Sequence, residues 1–386
     1  MHNAIINRRF SEIIDQNNYE LFLFLPKYAD RSSYTGLHGK KHFFLNSQMF
    51  GPSIKENPLL FCKFYFLNNY LFKIFTHESV QNLMKDYLRK KQTRKCMNSL
   101  IRLSKKRSDE IVIIFPSVDP LSIELTKNLF SRFSSGKFKI FLRICGLESR
   151  GIIASKRELE TLSILSMKYG DNIKVGYETK GWLDFLVQSN IDTKVLYWSP
   201  WPMIDSKKNE KQIRDGIVIS FLGAAKKRKG FDLIPKILSE LQDHEIKFRA
   251  LIQSANFPWP EYVKILDVIR DQFGKDCEIL PPSLSLKKLQ SYIFKSDLLI
   301  LPYDSLSYPI QASGLLYHAA DYEIPVLSSG NVGFENEIKK YNIGETFTQI
   351  SEIPVLIKTL MVHDDNRRFD LYNHDRNSAT DAFLFG

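Results

Sequence analysis

Cysteine is scarce in this chain, and long apolar runs are missing. The 386 residues include four cysteines, none of them paired at the spacing of a zinc site or a small disulfide framework: Cys62, Cys96, Cys145 and Cys277. No window reaches the roughly 18 consecutive apolar residues of a transmembrane helix, and residues 1–10 lack the apolar core of a signal peptide. These absences predict a cytoplasmic protein, either soluble or peripheral at the inner face of a membrane.

The net charge of +11 is unevenly distributed along the chain. The excess of lysine and arginine lies in the first half, and its densest part is Lys85–Arg107, where Asp86 is the single acidic residue. Such a run is either a solvated helix face or a surface that attracts anionic lipid or an anionic polymer acceptor. Nucleic acid is not predicted as a partner, because its recognition uses interleaved aromatic residues and this run offers only Tyr87.

Short apolar runs alternate with helical patterns along most of the chain. The predicted strands are Glu20–Pro26, Glu110–Phe115, Phe138–Cys145, Ile173–Tyr177, Lys194–Trp198, Gly216–Leu222, Phe248–Gln253, Cys277–Leu280, Leu298–Pro302 and Ile324–Ser328. The predicted helices are Leu121–Phe133, Gly181–Gln188, Phe231–Leu241, Glu261–Phe273, Ser283–Lys295 and Leu315–Tyr322. Strand–helix–strand units of this kind predict parallel sheets covered by helices.

A hydrophilic segment divides the series into two halves. Pro200–Asp215 contains two prolines followed by a mixed-charge run, which is typical of a linker between domains. The predicted domains are residues 1–205, residues 206–350, and a polar helical tail over residues 351–386. With 44% hydrophobic residues, the chain can form more than one core.

Residues 296–334 contain the most informative stretch. The strand Leu298–Pro302 is followed by a polar loop, then by Ser313 and Gly314 at the predicted start of a helix. A serine can cap such a helix, and a glycine lets a ligand approach the free backbone amides. The pattern therefore predicts an anion site at this helix start.

Two further loops combine glycine with basic residues. Gly223–Gly230 follows a predicted strand and contains four consecutive basic residues, which could neutralise a diphosphate. Near the amino terminus, Gly36 and Gly39 precede Lys40, Lys41 and His42, and these basic residues could bind phosphate or an acidic sugar. Alternatively, the segment is an ordinary loop, because glycine-rich turns are common in loops that bind no ligand.

The stretch over residues 296–334 resembles the donor-binding core of GT-B nucleotide-sugar glycosyltransferases, especially the retaining family with two glutamates separated by seven residues. The family pattern is matched, in order, by Asp297, Pro302, the Ser313–Gly314 pair, Ala319, Pro325–Val326 and Gly333. Glu335 and Glu337 follow Gly333 as in the family. The two family glutamates fall at Ile310 and His318, so neither carboxylate is present.

The resemblance implies a set of donor-binding residues. Lys229 matches the family lysine that grips the diphosphate, while Ala224 occupies the position of the partner arginine. The implied donor-binding residues are Gly223, Arg228, Lys229, Leu280, Ser313, Gly314 and His318.

Catalytic and acceptor-side residues are implied less directly. Gln311 and Asp304 are the polar side chains nearest to the missing first glutamate, and His77 is a candidate base, with His42 and Asp119 as alternatives. On the acceptor side, Gly36, His42 and Arg143 are the candidates, and Glu178 with Thr179 lie at a strand edge that could face the same cleft.

The predicted fold is therefore α/β: GT-B, with two Rossmann-like domains whose parallel sheets face each other across a cleft. The predicted function is transfer of a sugar from a nucleotide-diphosphate donor to a polysaccharide or cell-envelope glycan, including a lipid-linked one, with retention. No cofactor is expected, and no acidic pair of the DxD type stands at a strand end to bind a metal. The alternatives are a non-catalytic GT-B relative that serves as a binding or scaffold protein, and a GT-B-shaped epimerase or phosphorylase.

Overall fold

The structure is a computed structural model, and it describes residues 22–25, 40–43, 98, 101, 111–115, 118, 120–132, 138–144, 152–201, 203, 216–255, 260–362 and 366–385. The predictions for Gly36, His77, Asp119 and most of Lys85–Arg107 lie outside these residues. His42 is described only as part of a strand. The chain divides into two compact units, the first comprising Met1–Gly176 with Ser189–Leu196 and the second comprising Tyr177–Gln188 with Tyr197–Gly386.

The amino-terminal half contains two groups of strands. Strands β1 (Phe22–Leu25) and β2 (Lys40–Phe43) pair in parallel as a separate ribbon. A four-stranded sheet has the order β3-β4-β5-β6, and its elements are β3 (Ile111–Phe115), α1 (Pro120–Arg132), β4 (Phe138–Ile144), α2 (Ile152–Lys168), β5 (Ile173–Tyr177), α3 (Lys180–Gln188) and β6 (Leu196–Trp198). Helix α3 belongs to the second unit, although it lies between strands of this sheet in the sequence.

The second unit contains a six-stranded parallel sheet. Its elements are β7 (Ile217–Phe221), α4 (Ile234–Asp243), β8 (Phe248–Gln253), α5 (Pro260–Phe273), β9 (Cys277–Leu280), α6 (Leu286–Phe294), β10 (Leu298–Leu301), α7 (Gly314–Asp321), β11 (Val326–Ser329), α8 (Glu335–Tyr341), β12 (Gly344–Phe347), α9 (Ile353–Met361) and α10 (Phe369–Phe385). The strand order is β12-β11-β10-β7-β8-β9. This is the order of a doubly wound sheet that reverses direction between β7 and β10.

Burial explains why these segments form a parallel sheet covered by helices. All four residues of β10 are buried, as expected for a strand covered on both faces. Helix α4 buries Ile234, Ile237, Leu238 and Leu241, whose spacing of three and four residues places them on one face. The core of the second unit thus lies between the sheet and its helices.

Two local predictions need correction. Helix α6 begins at Leu286 and not at Ser283, because Ser285 caps it by accepting a hydrogen bond from the N–H of Lys288 at 3.3 Å. The tail over residues 351–386 is helical, but it is not uniformly polar, since α9 buries Ile353, Ile357 and Leu360 in the core.

Helix α10 packs within the second unit. Asn373 donates to the carbonyl of Ala320 in α7 at 3.0 Å, and Arg376 donates to the carbonyl of Trp201 at 3.3 Å. The boundary at residue 205 and the packing of the tail on the first domain stay predictions. No helix in the described part of the chain has both the length and the apolar character needed to cross a membrane.

Candidate functional site

Two loops meet at the carboxyl ends of the neighbouring strands β7 and β10. In an open α/β sheet, the point where the strand order reverses leaves a crevice in which ligands bind. The N–H of Asp304 donates to the carbonyl of Arg228 at 3.1 Å. Gly230 has a φ of 69°, and a Cβ there would lie 1.9 Å from the carbonyl oxygen of Pro302. This glycine therefore allows the loop after β7 to lie directly against the loop after β10.

Lys229 places a cation inside this crevice. The residue ends the short 3-10 turn Lys227–Lys229, and its Nζ lies 5.1 Å from the ring centroid of Tyr303. Tyr303 in turn packs against the rings of Tyr308, at 4.7 Å, and Phe334, at 5.8 Å. The position of a Cβ on Gly223 would be 3.2 Å from Nζ, so a side chain there would crowd the ammonium group.

The charge of Lys229 has no acidic counterpart among the residues that the structure describes. Burial of the ammonium group lowers its pKa, but the phenolic oxygens of Tyr303 and Tyr308 favour the charged form, and the net effect is a raised pKa. No carboxylate among the described residues forms an ion pair with it. Because a cation that is partly removed from water and has no opposite charge nearby is unfavourable, this arrangement favours an anionic ligand.

The amino terminus of α7 lies at the same place. The backbone N–H groups of Gly314 and Leu315 have no acceptor among the described residues. Ser313 does not cap the helix with its side chain, contrary to the prediction. Its hydroxyl instead lies 3.4 Å from the hydroxyl of Tyr303, which also hydrogen-bonds Lys229. Unused helix donors next to a half-buried cation form a suitable site for phosphate.

Gln253 connects the loop after β7 to the loop after β9. Its Oε1 accepts a hydrogen bond from the N–H of Gly223 at 2.8 Å, and its Nε2 donates to the carbonyl of Pro282 at 2.9 Å. Leu280 ends β9 and is buried, and its carbonyl accepts from the N–H of Ser254 at 3.1 Å. Gln253 was not among the site residues predicted from the sequence, although a polar residue at the end of an apolar strand is a usable signal.

The loop over residues 308–311 is hydrogen-bonded to two other segments, one at Thr179 and one at Gly333. The hydroxyl of Thr179, just before α3, donates to the carbonyl of Ile310 at 2.6 Å. On the other side, the N–H of Gly333 donates to the carbonyl of Tyr308 at 2.8 Å, and a Cβ on Gly333 would lie 2.3 Å from the carbonyl carbon of Ile310. Gly181 of α3 packs against Ile310 in the same way. The backbone of this loop is therefore positioned by close glycine contacts.

No protein-family model and no curated protein sequence matches the chain. Solved structures of similar fold are found at low sequence identity. The glycosyltransferase from Rickettsia africae ESF-5 is 12% identical with a TM-score of 0.62, over 99% of this chain and 91% of that chain. Sucrose-phosphate synthase from Thermosynechococcus elongatus is 10% identical with a TM-score of 0.61, over 98% of this chain and 88% of that chain. Anabaena HepE, solved in complex with UDP and glucose, is 12% identical with a TM-score of 0.57, over 98% and 90%.

The chain has the GT-B fold. The likeness extends over nearly the whole chain, and it agrees with the four-stranded and six-stranded parallel sheets and with the strand order of the second unit. The predicted fold class is thereby confirmed.

His318, which occupies the position of the second glutamate of the resembled family, is buried. His318 is 2% exposed, with Nδ1 3.8 Å from Oδ2 of Asp321 and its ring at 6.0 Å, edge-on, from that of Trp201. Asp321 also forms an ion pair with Arg376 of α10 at 2.6 Å. A role of His318 toward a ribose hydroxyl stays a prediction.

The two loop candidates for the sugar contact have local partners. The carboxylate of Asp304 accepts hydrogen bonds from the N–H groups of Leu306 and Ser307, so it stabilises the turn in which it lies. Gln311 is half-buried, and its Oε1 lies 3.4 Å from the N–H of Ile310. Their catalytic roles stay predictions.

Two buried glutamates lie where α3 meets α8. Glu178 accepts a hydrogen bond from Nε1 of Trp201 at 3.0 Å. The pKa of Glu337 is raised to about 7, chiefly by burial and further by the carboxylate of Glu178, while the N–H of Lys180 and the ammonium of Lys340 act in the opposite direction. Oε2 of Glu337 has no hydrogen-bond partner within the described ranges.

The remaining acceptor-side candidate belongs to the first unit. Arg143 is fully buried near the end of β4, and its carbonyl accepts a hydrogen bond from the N–H of Val118 at 2.9 Å. Its side chain is therefore part of the interior of that unit, and its predicted acceptor role stays a prediction.

Proposed function

We propose that this protein is a glycosyltransferase that moves a sugar from a nucleotide-diphosphate donor to a glycan hydroxyl. The observation that carries the proposal is the half-buried Lys229, whose ammonium has no acidic partner in the described part of the chain and lies beside the open amino terminus of α7. The GT-B fold supports the same conclusion, because the structures of similar fold include glycosyltransferases, one of them solved with UDP and glucose.

In the proposed reaction, the diphosphate lies against Lys229 and the N–H groups of Gly314 and Leu315. The bond between the anomeric carbon and the diphosphate oxygen breaks, and the acceptor oxygen forms a new bond to that carbon on the same face. The acceptor proton passes to the departing phosphate oxygen. Lys229 contributes by offsetting negative charge as it develops on the leaving group. This route needs no enzyme nucleophile, so it is compatible with Ile310 at the position of the first family glutamate.

Retention, independence from metals and a polysaccharide or cell-envelope acceptor are parts of this proposal. A lysine and helix amides can supply the positive potential that a metal provides in other transferases. A divalent-cation series in a transfer assay tests the metal, and the anomeric configuration of the product tests retention.

The donor site is tested by following the melting temperature of the purified protein with UDP, GDP and ADP. A ligand that binds only the native state raises the melting temperature as its occupancy rises. We expect a rise with one nucleotide, its loss in Lys229→Met, and its partial recovery in Lys229→Arg, which keeps the charge. Lys236→Met changes an exposed lysine of α4 and is the matched control. If none of the three nucleotides raises the melting temperature, the proposed donor site is wrong.

A second function is favoured by the burial of His318. If both family glutamate positions have lost their contact with the donor, the protein binds a nucleotide without turning it over. Donor hydrolysis and transfer assays distinguish the two functions. Nucleotide binding together with no release of nucleotide from its sugar conjugate would support the non-catalytic binding protein.

Membrane association is a further part of the proposal. It is based on the sequence Lys85–Arg107, whose basic residues could hold the protein at an anionic cytoplasmic surface close to a lipid-linked acceptor.

A further inference from the structure

Gln253 stands at the end of the strand between the two loops that the proposed donor would contact. Strand β8 lies between β7 and β9 in the sheet, and Gln253 is its last residue. The residue is buried, and its register partner in β9 is Leu280. A side chain at this place can reach the loops that follow both neighbouring strands.

The side-chain amide of Gln253 forms one hydrogen bond through its oxygen and one through its nitrogen. The N–H of Gly223 faces Oε1, and the carbonyl of Pro282 faces Nε2. One orientation of the amide satisfies both contacts, since a reversed amide would place donor against donor and acceptor against acceptor. The side chain is therefore a fixed link between the two loops.

Each linked loop meets Gln253 through a backbone group. Gly223 has a φ of 94°, a conformation that offers a side-chain-free backbone next to Nζ of Lys229. Pro281, Pro282 and Ser283 are exposed, and the two prolines have no N–H with which to join neighbouring backbone. The side chain of Gln253 thus connects the 280–283 turn to the loop that contains the lysine.

We infer that Gln253 is a positioning residue that holds two loops at a fixed separation: the loop with Lys229, where the diphosphate of the proposed donor would lie, and the 280–283 turn, where its nucleoside would lie. The inference rests on the proposed function for the identity of the two halves of the ligand. The expected consequence is preorganisation. Because both loops are held in place before binding, a nucleoside diphosphate loses no binding free energy in ordering them.

The test compares wild type with Gln253→Met, which keeps the length of the side chain and removes both hydrogen bonds. Gln272→Met, at an exposed position of α5, is the matched control. Calorimetry measures binding of UDP, GDP and ADP, of the corresponding nucleosides, and of inorganic pyrophosphate. We expect Gln253→Met to weaken pyrophosphate and nucleoside by about threefold each and the nucleotide by about tenfold, as expected when one hydrogen bond to each loop is lost.

Weakening of only one half of the ligand, or of neither, would overturn the inference, because a link has to affect both loops. A role limited to the stability of the fold would lower the melting temperature and leave these ratios unchanged.

Hydrogen exchange on the ligand-free protein separates this inference from the proposed function. Loss of the link should accelerate exchange of amides in residues 220–226 and in residues 283–285 of Gln253→Met, relative to Gln272→Met. If no nucleotide binds the wild type, the proposed function fails, and faster exchange at both loops still supports the link. Unchanged exchange at either loop overturns the link whatever binds, as does faster exchange at both loops with unchanged nucleotide affinity.

Discussion

At the residue scale, Glu337 is a carboxyl group whose surroundings favour its neutral form. Its side chain is buried between α8 and the start of α3, near a second buried carboxylate, Glu178. The pKa of about 7 lies above the ordinary value of 4.5 for a glutamate, so the folded protein binds a proton there more tightly than the unfolded chain does. Folding is therefore coupled to protonation of this residue.

The sign of the coupling predicts a loss of stability as pH rises. The unfolded glutamate loses its proton near its ordinary value, and the folded one near pH 7, so the free energy of unfolding falls between these values and levels off above about 7. We expect Glu337→Gln to raise the free energy of unfolding at pH 8 by about 3 kcal/mol relative to wild type, measured by urea denaturation. At pH 5 the two proteins should differ little.

Glu335→Gln is the control for this pH dependence. The pKa of Glu335 is lowered: burial acts to raise it, but hydrogen bonds from Lys339 and the N–H of Asn331 more than offset burial. Its effect on the free energy of unfolding should therefore be constant between pH 6 and pH 8. A constant difference between Glu337→Gln and wild type across that range would contradict the predicted protonation.

At the element scale, helix α10 is joined to α7 by a buried ion pair. Arg376 and Asp321 are both fully buried, with a nitrogen–oxygen distance of 2.6 Å. Truncating one member leaves the other as an uncompensated buried charge. We expect Arg376→Met to lower the free energy of unfolding by about 3 kcal/mol or more, measured by urea denaturation.

An exposed ion pair supplies the comparison for Arg376. Arg270 and Asp267 lie 2.9 Å apart on α5, with both side chains more than half exposed. Arg270→Met should cost less than about 1 kcal/mol. Adding Asp321→Asn to Arg376→Met should recover part of the loss, and failure to do so would indicate that the cost comes from packing and not from the unpaired charge.

The contact between the turn at Gly333 and the loop at Ile310 is a second feature of this scale. Gly333 has no unusual backbone conformation, so a substitution there acts by steric contact with the loop. Gly333→Ala places a methyl group 2.3 Å from a backbone carbon and must displace the loop that leads into Ser313.

We expect Gly333→Ala to weaken the nucleotide-induced rise in melting temperature and to lower stability by about 2 kcal/mol, in the range of other steric changes in packed regions. Gly274→Ala, where the added methyl group meets no atom within 4 Å, is the matched control. Equal behaviour of the two variants would show that the loop adapts without consequence.

At the scale of the whole molecule, the excess of positive charge gives a prediction about surfaces. The net charge of +11 should attract the protein to anionic vesicles, and the attraction should weaken as salt shortens the electrostatic range to about 10 Å at 0.1 M. Sedimentation with vesicles containing phosphatidylserine measures this, with neutral vesicles as the control. Bound fractions that do not change over the salt series would contradict an electrostatic attachment.

Local patterns were sufficient to predict most elements and part of the candidate site. Strands such as Phe248–Gln253 and Cys277–Leu280 are short apolar runs with clear ends, and they were predicted to the residue. Ser313 and Gly314 were predicted from a glycine-containing strand-to-helix turn and Lys229 from the family resemblance, and their binding roles stay predictions. Helix α2 was not predicted, although Leu159, Leu162 and Leu165 are buried along it.

Residues that act through distant partners were not predictable in this way. The role of Tyr303 depends on its contacts with Lys229 and Ser313, which lie 74 and 10 positions away in the sequence. Thr179 contacts Ile310 across a still longer separation. A one-dimensional pattern contains no information on such pairs, because they come together only through tertiary packing.

The sequence by itself determined the alternation of strands and helices, the parallel sheets and the glycine-containing loops for which anion binding is proposed, because apolar periodicity and glycine placement are local properties. The tertiary structure alone decided that helix α3 joins the second unit, that Gln253 links two loops, and that His318 and Glu337 are buried. The link through Gln253 follows from the strand order, which places β8 between β7 and β9. Burial changes the free energy of a charge only once the surrounding residues are in place, so the sequence could not reveal it.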